Sequence, residues 1–208
     1  MSARLWIIAS VVALLLIRPL LRMVIAMVFS DTIGKQAMAK QPDQIHLGPA
    51  GANAPSDAQW NEWGQAFQRL GFEDCGTFAL REIPGVIVRL FANSAESMYA
   101  STCLHPKGGR WFEIFVHYTD GTSATFSTLK PTGLADRPGH PSVKDPHANA
   151  EQLHRRALAH AADKAKQPVS VRGAAPDYER FYAEGIAWRK QRGVSRGEVV
   201  NVAARKAA

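Results

Sequence analysis

Glu113 and His117 are the first residues to weigh as chemistry, because a carboxylate and an imidazole together can move protons. They lie in RWFEIFVHYTDGTSATFSTL, where Trp111, Glu113, Phe115 and His117 occupy alternate positions. On a strand such residues share one face, but Glu113 and His117 are then about 13 Å apart along it. That is too far for a direct hydrogen bond, so the sequence assigns no catalytic pair here. The four side chains, with Phe126 from the following run, instead form a candidate ligand-binding face.

Other constellations are weaker. His140, His147 and His154 recur every seven residues, with His160 beyond, but they straddle a loop and a helix and form no metal-binding motif. No metal is therefore expected. Cys103 and His105 suggest a nucleophile and its base, yet alternate positions at a strand end do not by themselves aim at each other. The chain has neither a Walker-type run nor GxGxxG, and Lys107-Gly108-Gly109-Arg110 reads as an interstrand loop. No cofactor is expected. The two cysteines, Cys75 and Cys103, are too few for a disulfide scaffold, and sequence alone leaves their pairing open.

Charge is unevenly spread. Residues 1–149 hold 13 Lys/Arg against 12 Asp/Glu, and residues 150–208 hold 12 against 6. The basic tail includes Arg155, Arg156, Lys164, Lys166, Arg189, Lys190, Arg192, Arg196, Arg205 and Lys206. It reads first as solvated helix faces, then as a contact for anionic headgroups, with nucleic acid disfavoured.

The elements that position these groups follow from periodicity. Residues 56–208 read as one α+β domain of ordinary size, at 46% hydrophobic and 21% charged residues over the 208-residue chain. Ser56-Asp57-Ala58-Gln59 has the form of a capping box. It opens a helix with Trp60, Trp63, Phe67 and Leu70 on one stripe and Gly71 at its end. From Phe72 to Lys130 the period drops to two, predicting a five-stranded antiparallel meander. Thr77 to Glu82 and Val86 to Ala92 flank a type II turn at Ile83-Pro84-Gly85, and Ser97 to Leu104 follows. Asp120-Gly121 then suits a two-residue hairpin turn. That turn would set Ile114 opposite Ser127 and Phe112 opposite Leu129, leaving large apolar groups on both faces.

PTGLADRPGHPSVKDPHAN is a long Pro/Gly-rich loop. Two to three helices follow: one from Asp145 or Asn149 to about Lys166, one from Pro176-Asp177 to Gly193, and a short one from Ser195-Arg196-Gly197-Glu198, again of capping-box form.

The N-terminus reads differently. Leu5 to Ile17 contains 13 residues with Ser10 alone polar, and Arg18, Pro19 and Arg22 then interrupt a run that extends to Phe29. Twenty-five residues suffice to span a bilayer if both guanidinium groups snorkel to an interface. A cleaved signal peptide, an interfacial helix and a buried core helix are the competing readings. The expectation is a transmembrane helix over residues 1–30 and a linker over 31–55. The domain is then held on the cytoplasmic side of a bacterial-type inner membrane as a single-pass protein. Residues 5–29 would meet the lipid bilayer, with anionic headgroups or a membrane-protein partner beside it. A periplasmic location with a Cys75–Cys103 bridge is the alternative compartment.

The functional expectation is a membrane-anchored binding or accessory domain without enzymatic activity. Its rival is a small hydrolase-like enzyme with a pocket over the Trp111/Glu113/Phe115/His117 face.

Overall fold

The computed structural model describes residues 29–205. Among them are five α-helices and seven strands in one sheet. The chain divides into two compact units. Of the described residues, one comprises 42–130 and 136–187, and the other 29–41, 131–135 and 188–205.

The larger unit is built on strands β1 (Leu47–Pro49), β2 (Glu73–Leu80), β3 (Ile87–Asn93), β4 (Met98–His105), β5 (Gly109–His117), β6 (Ser123–Ser127) and β7 (Ser142–Lys144), which neighbour one another in sequence order. All pairs are antiparallel except β6 with β7, which is parallel. The expected five-stranded antiparallel meander is therefore corrected to a seven-stranded mixed sheet. The two added strands have three residues each, too short to show an alternating pattern. β1 ends in Pro49, a residue that tolerates only an edge because it offers no ladder donor. The β1 edge is closed by carboxylates: Glu82 accepts from the His46 amide at 2.8 Å and Glu179 from the Leu47 amide at 2.6 Å.

Helix α2 (Ala58–Arg69) covers one face of the sheet. Its N-cap is Asp57, which accepts from the Trp60 amide, rather than Ser56 one position earlier. Its end is a Schellman closure. The Gly71 amide reaches Gln68 O, the Phe72 amide reaches Phe67 O at 3.0 Å, and Gly71 adopts φ +83°. The Phe67 and Phe72 rings meet edge-on at 5.6 Å, the apolar contact that goes with this cap. Helix α3 (Ala150–His160) shares the face, opened by a reciprocal Asn149/Gln152 capping box. Between these helices and the sheet lie Phe67, Phe91, Met98, Phe112, Ile114, Val116, Phe126 and Leu153.

The turn expected at Pro84-Gly85 is present. Val86 N donates to Ile83 O and Gly85 takes φ +81°, as a type II turn requires. The β5–β6 turn differs from expectation. His117 pairs with Ser123, Val116 with Ala124, Ile114 with Phe126 and Glu113 with Ser127, a shift of one residue. Tyr118 N donates to Thr122 O at 2.9 Å and Gly121 N to Tyr118 O at 3.1 Å, with Gly121 at φ +81°. The loop thus has three residues and ends in a left-handed glycine, the common alternative to the two-residue turn. Asp120 favours it by accepting from the amide and hydroxyl of Thr122.

The opposite face of the sheet is covered by residues 169–173 and the first part of helix α4 (Ala174–Arg192), through Val171, Ala174, Tyr178, Phe181 and Tyr182. Tyr99 ties this cover down by donating to Asp177 at 2.8 Å.

In the smaller unit, α1 (Ser30–Ala39) packs against α5 (Arg196–Arg205). Glu198 accepts from the Ala135 and Ser195 amides and from Arg192, while its own amide donates to Ser195 Oγ. This is the expected capping box with an arginine added. Burial opposes ionisation of Glu198, but the bonds from Arg192, Ala135 and Ser195 bring its pKa down to about 2.

The single-pass inner-membrane expectation is also corrected. Among the described residues no helix is long and apolar enough to cross a membrane. α1, at 10 residues, rises about 15 Å, half of a hydrocarbon core. The apolar run that motivated the anchor, residues 5–29, lies outside the described residues except for Phe29. In sequence, its uninterrupted part covers only about 20 Å before Arg18 and Pro19.

One core defect is testable. Thr102 is fully buried between the sheet and α2, and its hydroxyl has no partner. An unpaired buried hydroxyl costs about 1–3 kcal/mol, and valine keeps the shape without it. Thr102→Val should raise stability by about 1 kcal/mol in chemical denaturation, and a loss would reveal a partner for the hydroxyl.

Candidate functional site

The antiparallel register aligns side chains in rows across the sheet, and one row is polar. On the face beneath α4, Leu90 pairs with Ser101, Ser101 with Glu113, Glu113 with Ser127, and Ser127 with Lys144. Ser101 Oγ donates to Glu113 Oε1 at 3.4 Å. Burial raises the Glu113 pKa, against the pull of hydrogen bonds from Ser127, Ser101 and Trp111 and of the Lys144 charge. Glu113, Trp111 and Lys144 each keep partial exposure, while Ser101 and Ser127 on either side of Glu113 are buried. Tyr178 of α4 closes over this row. Burial, the adjacent Cys103 and the Glu113 charge hold its phenol well above the usual range.

Trp111, Glu113, Phe115 and His117 stand together on this face. Phe126 does not: the one-residue shift turns it to the opposite side, where it is buried with Ile114 and Val116. Nor do Glu113 and His117 converge. The His117 ring is stacked on Phe181, with centroids 3.2 Å apart and planes at 9°, and the Arg180 guanidinium lies 4.3 Å from the Phe181 ring. Burial lowers the His117 pKa to about 4; Arg180 and His140 add to the shift and Asp177 opposes it.

The other candidates are dispersed. Cys103 is buried and burial pushes its thiol up, while His105 Nδ1 is occupied by the amides of Lys107 and Gly108 at 3.0 and 2.8 Å. Cys75 is likewise a free thiol, raised to about 12 by burial and by Asp74 and Glu73. His154 faces Glu96 at 2.5 Å and His140 faces Ser123 at 2.8 Å. His160 packs on Phe126, and His147 is exposed. Among the described residues no three His, Cys, Asp or Glu side chains are grouped to hold a metal. Several basic residues of the tail bond internally: Arg156 to Asp145 at 2.8 Å, Lys166 to Glu96 O at 2.9 Å, and Lys164 over the Tyr118 ring at 4.6 Å.

Sequence reasoning missed Ser101, Ser127, Lys144 and Tyr178. The first two carried a signal, since placing Glu113 opposite serine and Ile114 opposite phenylalanine segregates polar from apolar. Lys144 lies in a loop-like segment and Tyr178 on a remote helix, and neither carried one.

The site is thus a single carboxyl in a hydroxyl and aromatic setting on an α+β sheet. No protein-family model matches the chain, and no curated protein or solved structure matches it either.

Two pH dependences follow, of opposite sign. The folded pKa of Glu113 is raised, so its stabilising contribution is complete below the ordinary carboxylate range and is lost as pH rises through the folded value. Glu113→Gln should therefore melt higher than wild type at pH 7, with the difference vanishing below about pH 4. A gain that persists in acid would place its cause outside ionisation. His117 is lowered, so its contribution is present above about pH 6.5 and is lost as pH falls through about 4, by at most about 3 kcal/mol. His117→Phe, which preserves the stack on Phe181, should flatten this part of the stability profile.

Proposed function

We propose that the larger unit is a recognition domain, acting by binding rather than catalysis, with the Glu113 row as its ligand face. The supporting observation is the state of that carboxyl: desolvated enough to raise its pKa, yet partly exposed and ringed by Ser101, Ser127 and Trp111. A carboxyl held against its own solvation destabilises the fold. Perturbed groups of this kind concentrate at functional sites. The hydrolase reading needs an activated nucleophile, and the nearby candidates are poor ones. Ser101 is at 0% exposure, Cys103 holds its proton, and His117 is engaged with Phe181 rather than directed at either.

The test is a thermal-shift screen of the full chain against a varied small-molecule collection, repeated on Glu113→Gln. Ligands that stabilise the wild type and lose at least about tenfold in affinity with the variant support the reading. A set of hits indifferent to Glu113 would end it.

A further inference from the structure

The cover over the second face is held differently from the two helices on the first. α2 and α3 insert Phe67 and Leu153, fully buried, into the main core. Of α4 up to Tyr182 only Ala174 is buried, and Tyr178, Phe181 and Tyr182 stay half-buried. Its hold therefore depends on a few side-chain contacts. The Tyr99 hydroxyl donates to Asp177 at 2.8 Å, the Leu47 amide to Glu179 at 2.6 Å and the Tyr182 hydroxyl to Pro42 O at 3.2 Å, and the His117 ring stacks on Phe181. Among these groups the imidazole is the type that changes charge between pH 7 and pH 5.

The charges around that ring are already matched. On α4, Arg180 meets Asp177 at 2.8 Å and Glu184 at 3.4 Å, and Arg137 from the neighbouring loop shares Glu184 at 3.9 Å. His140 bonds to Ser123, the residue paired with His117. Asp120 is taken up by Thr122, and Lys166 donates to Glu96 O at 2.9 Å. A proton on His117 thus faces two carboxylates that two guanidinium groups already hold. Attraction of an imidazolium to the Phe181 face favours the charge, but Arg180 already lies on that ring. Burial, Arg180 and His140 outweigh Asp177 and lower the pKa of the ring to about 4. Released into water, such a ring returns to about 6.5.

We propose that His117 is an acid-sensitive latch: when its ring takes up a proton, residues 169–182 lift from the sheet while the core beneath α2 and α3 stays folded. This local opening goes beyond the ligand-face reading and holds whether or not that face binds anything. The latch is closed above about pH 6.5 and weakens as pH falls toward about 4. Between pH 7 and pH 5 the ratio of open to closed rises about twentyfold, a window in which carboxyl groups of ordinary pKa stay charged.

The experiment uses the full chain. Cys103 is buried in the same cluster as Tyr178, so its labelling by an aromatic disulfide reports opening of the cover. Rates are divided by that of a free cysteine peptide at the same pH, and peptide masses separate Cys103 from Cys75. Hydrogen exchange of the slowest β3 and β4 amides reports global unfolding. Expected is an opening ratio at Cys103 that rises about twentyfold from pH 7 to pH 5 and exceeds the global ratio at least about tenfold. In His117→Phe the rise should shrink to about threefold or less, the remainder being due to His140. A wild-type rise below about threefold, labelling that only matches the slowest amides, or a full rise in His117→Phe overturns the proposal. Should the variant not fold, the ring signals of His117 in the unaltered protein decide. A midpoint below about pH 5 that tracks Cys103 labelling supports the latch, and one near the ordinary value of about 6.5 with Cys103 still protected overturns it.

Discussion

The register between β5 and β6 is the constraint on which the rest of the larger unit depends. Because strand side chains alternate with period two, one residue of slip exchanges every neighbour across the pair. The three-residue loop ending at Gly121 sets Ile114 against Phe126 and Val116 against Ala124. That sorts one face into a continuous apolar floor for α2 and α3. The same step gathers Ser123, Thr125 and Ser127 beside His117, Phe115 and Glu113. A two-residue turn would have put aromatic and aliphatic bulk on both sides, with the Ser/Thr row against the main core and its hydroxyls short of partners. Hydrophobic matching and turn chemistry therefore agree, and Asp120 adds to the preference through its bonds to Thr122.

Once the faces are sorted, the second face takes on its mixed character. Val88, Leu90, Ala92 and Tyr99 on β3 and β4 give α4 an apolar bed, and the outer strands β6 and β7 continue the surface as hydroxyls and Lys144. Glu113 sits at the seam. Toward β4 it meets Ser101 and, beyond, the apolar cover; toward β6 it meets Ser127 and partial solvent. Its raised pKa is the electrostatic signature of that position, since burial outweighs three hydrogen-bond donors and one cation. A glutamine would keep the shape without the charge.

How much of this was legible in the sequence varied with the length over which a pattern could repeat. Helix α2, its glycine stop, the Pro84-Gly85 turn and the central strands rest on runs long enough to show their period, and they stand where periodicity put them within a few residues. β1 and β7 were invisible because three residues carry no period, and β7 hides in a Pro/Gly-rich stretch. The Asp120-Gly121 dipeptide suits both loop lengths, so the dipeptide alone could not fix the register. For the site, alternation grouped Trp111, Glu113, Phe115 and His117, while the register error added Phe126. Lys144 and Tyr178 come from distant segments brought in by the fold, and no local signal announces such neighbours.

The covering helix bears on how the face could operate. Its polar attachment to the sheet, Tyr99 to Asp177, and the His117–Phe181 stack lie over β4 and β5. The outer strands that carry Ser127 and Lys144 contribute none of these ties. Ser142, Thr125 and Lys144 keep partial exposure, while Ser127, between Glu113 and Lys144, is buried. The Tyr99–Asp177 bond and the His117–Phe181 stack therefore hold β4 and β5, the strands on which Ser101 and Glu113 lie, firmly against α4.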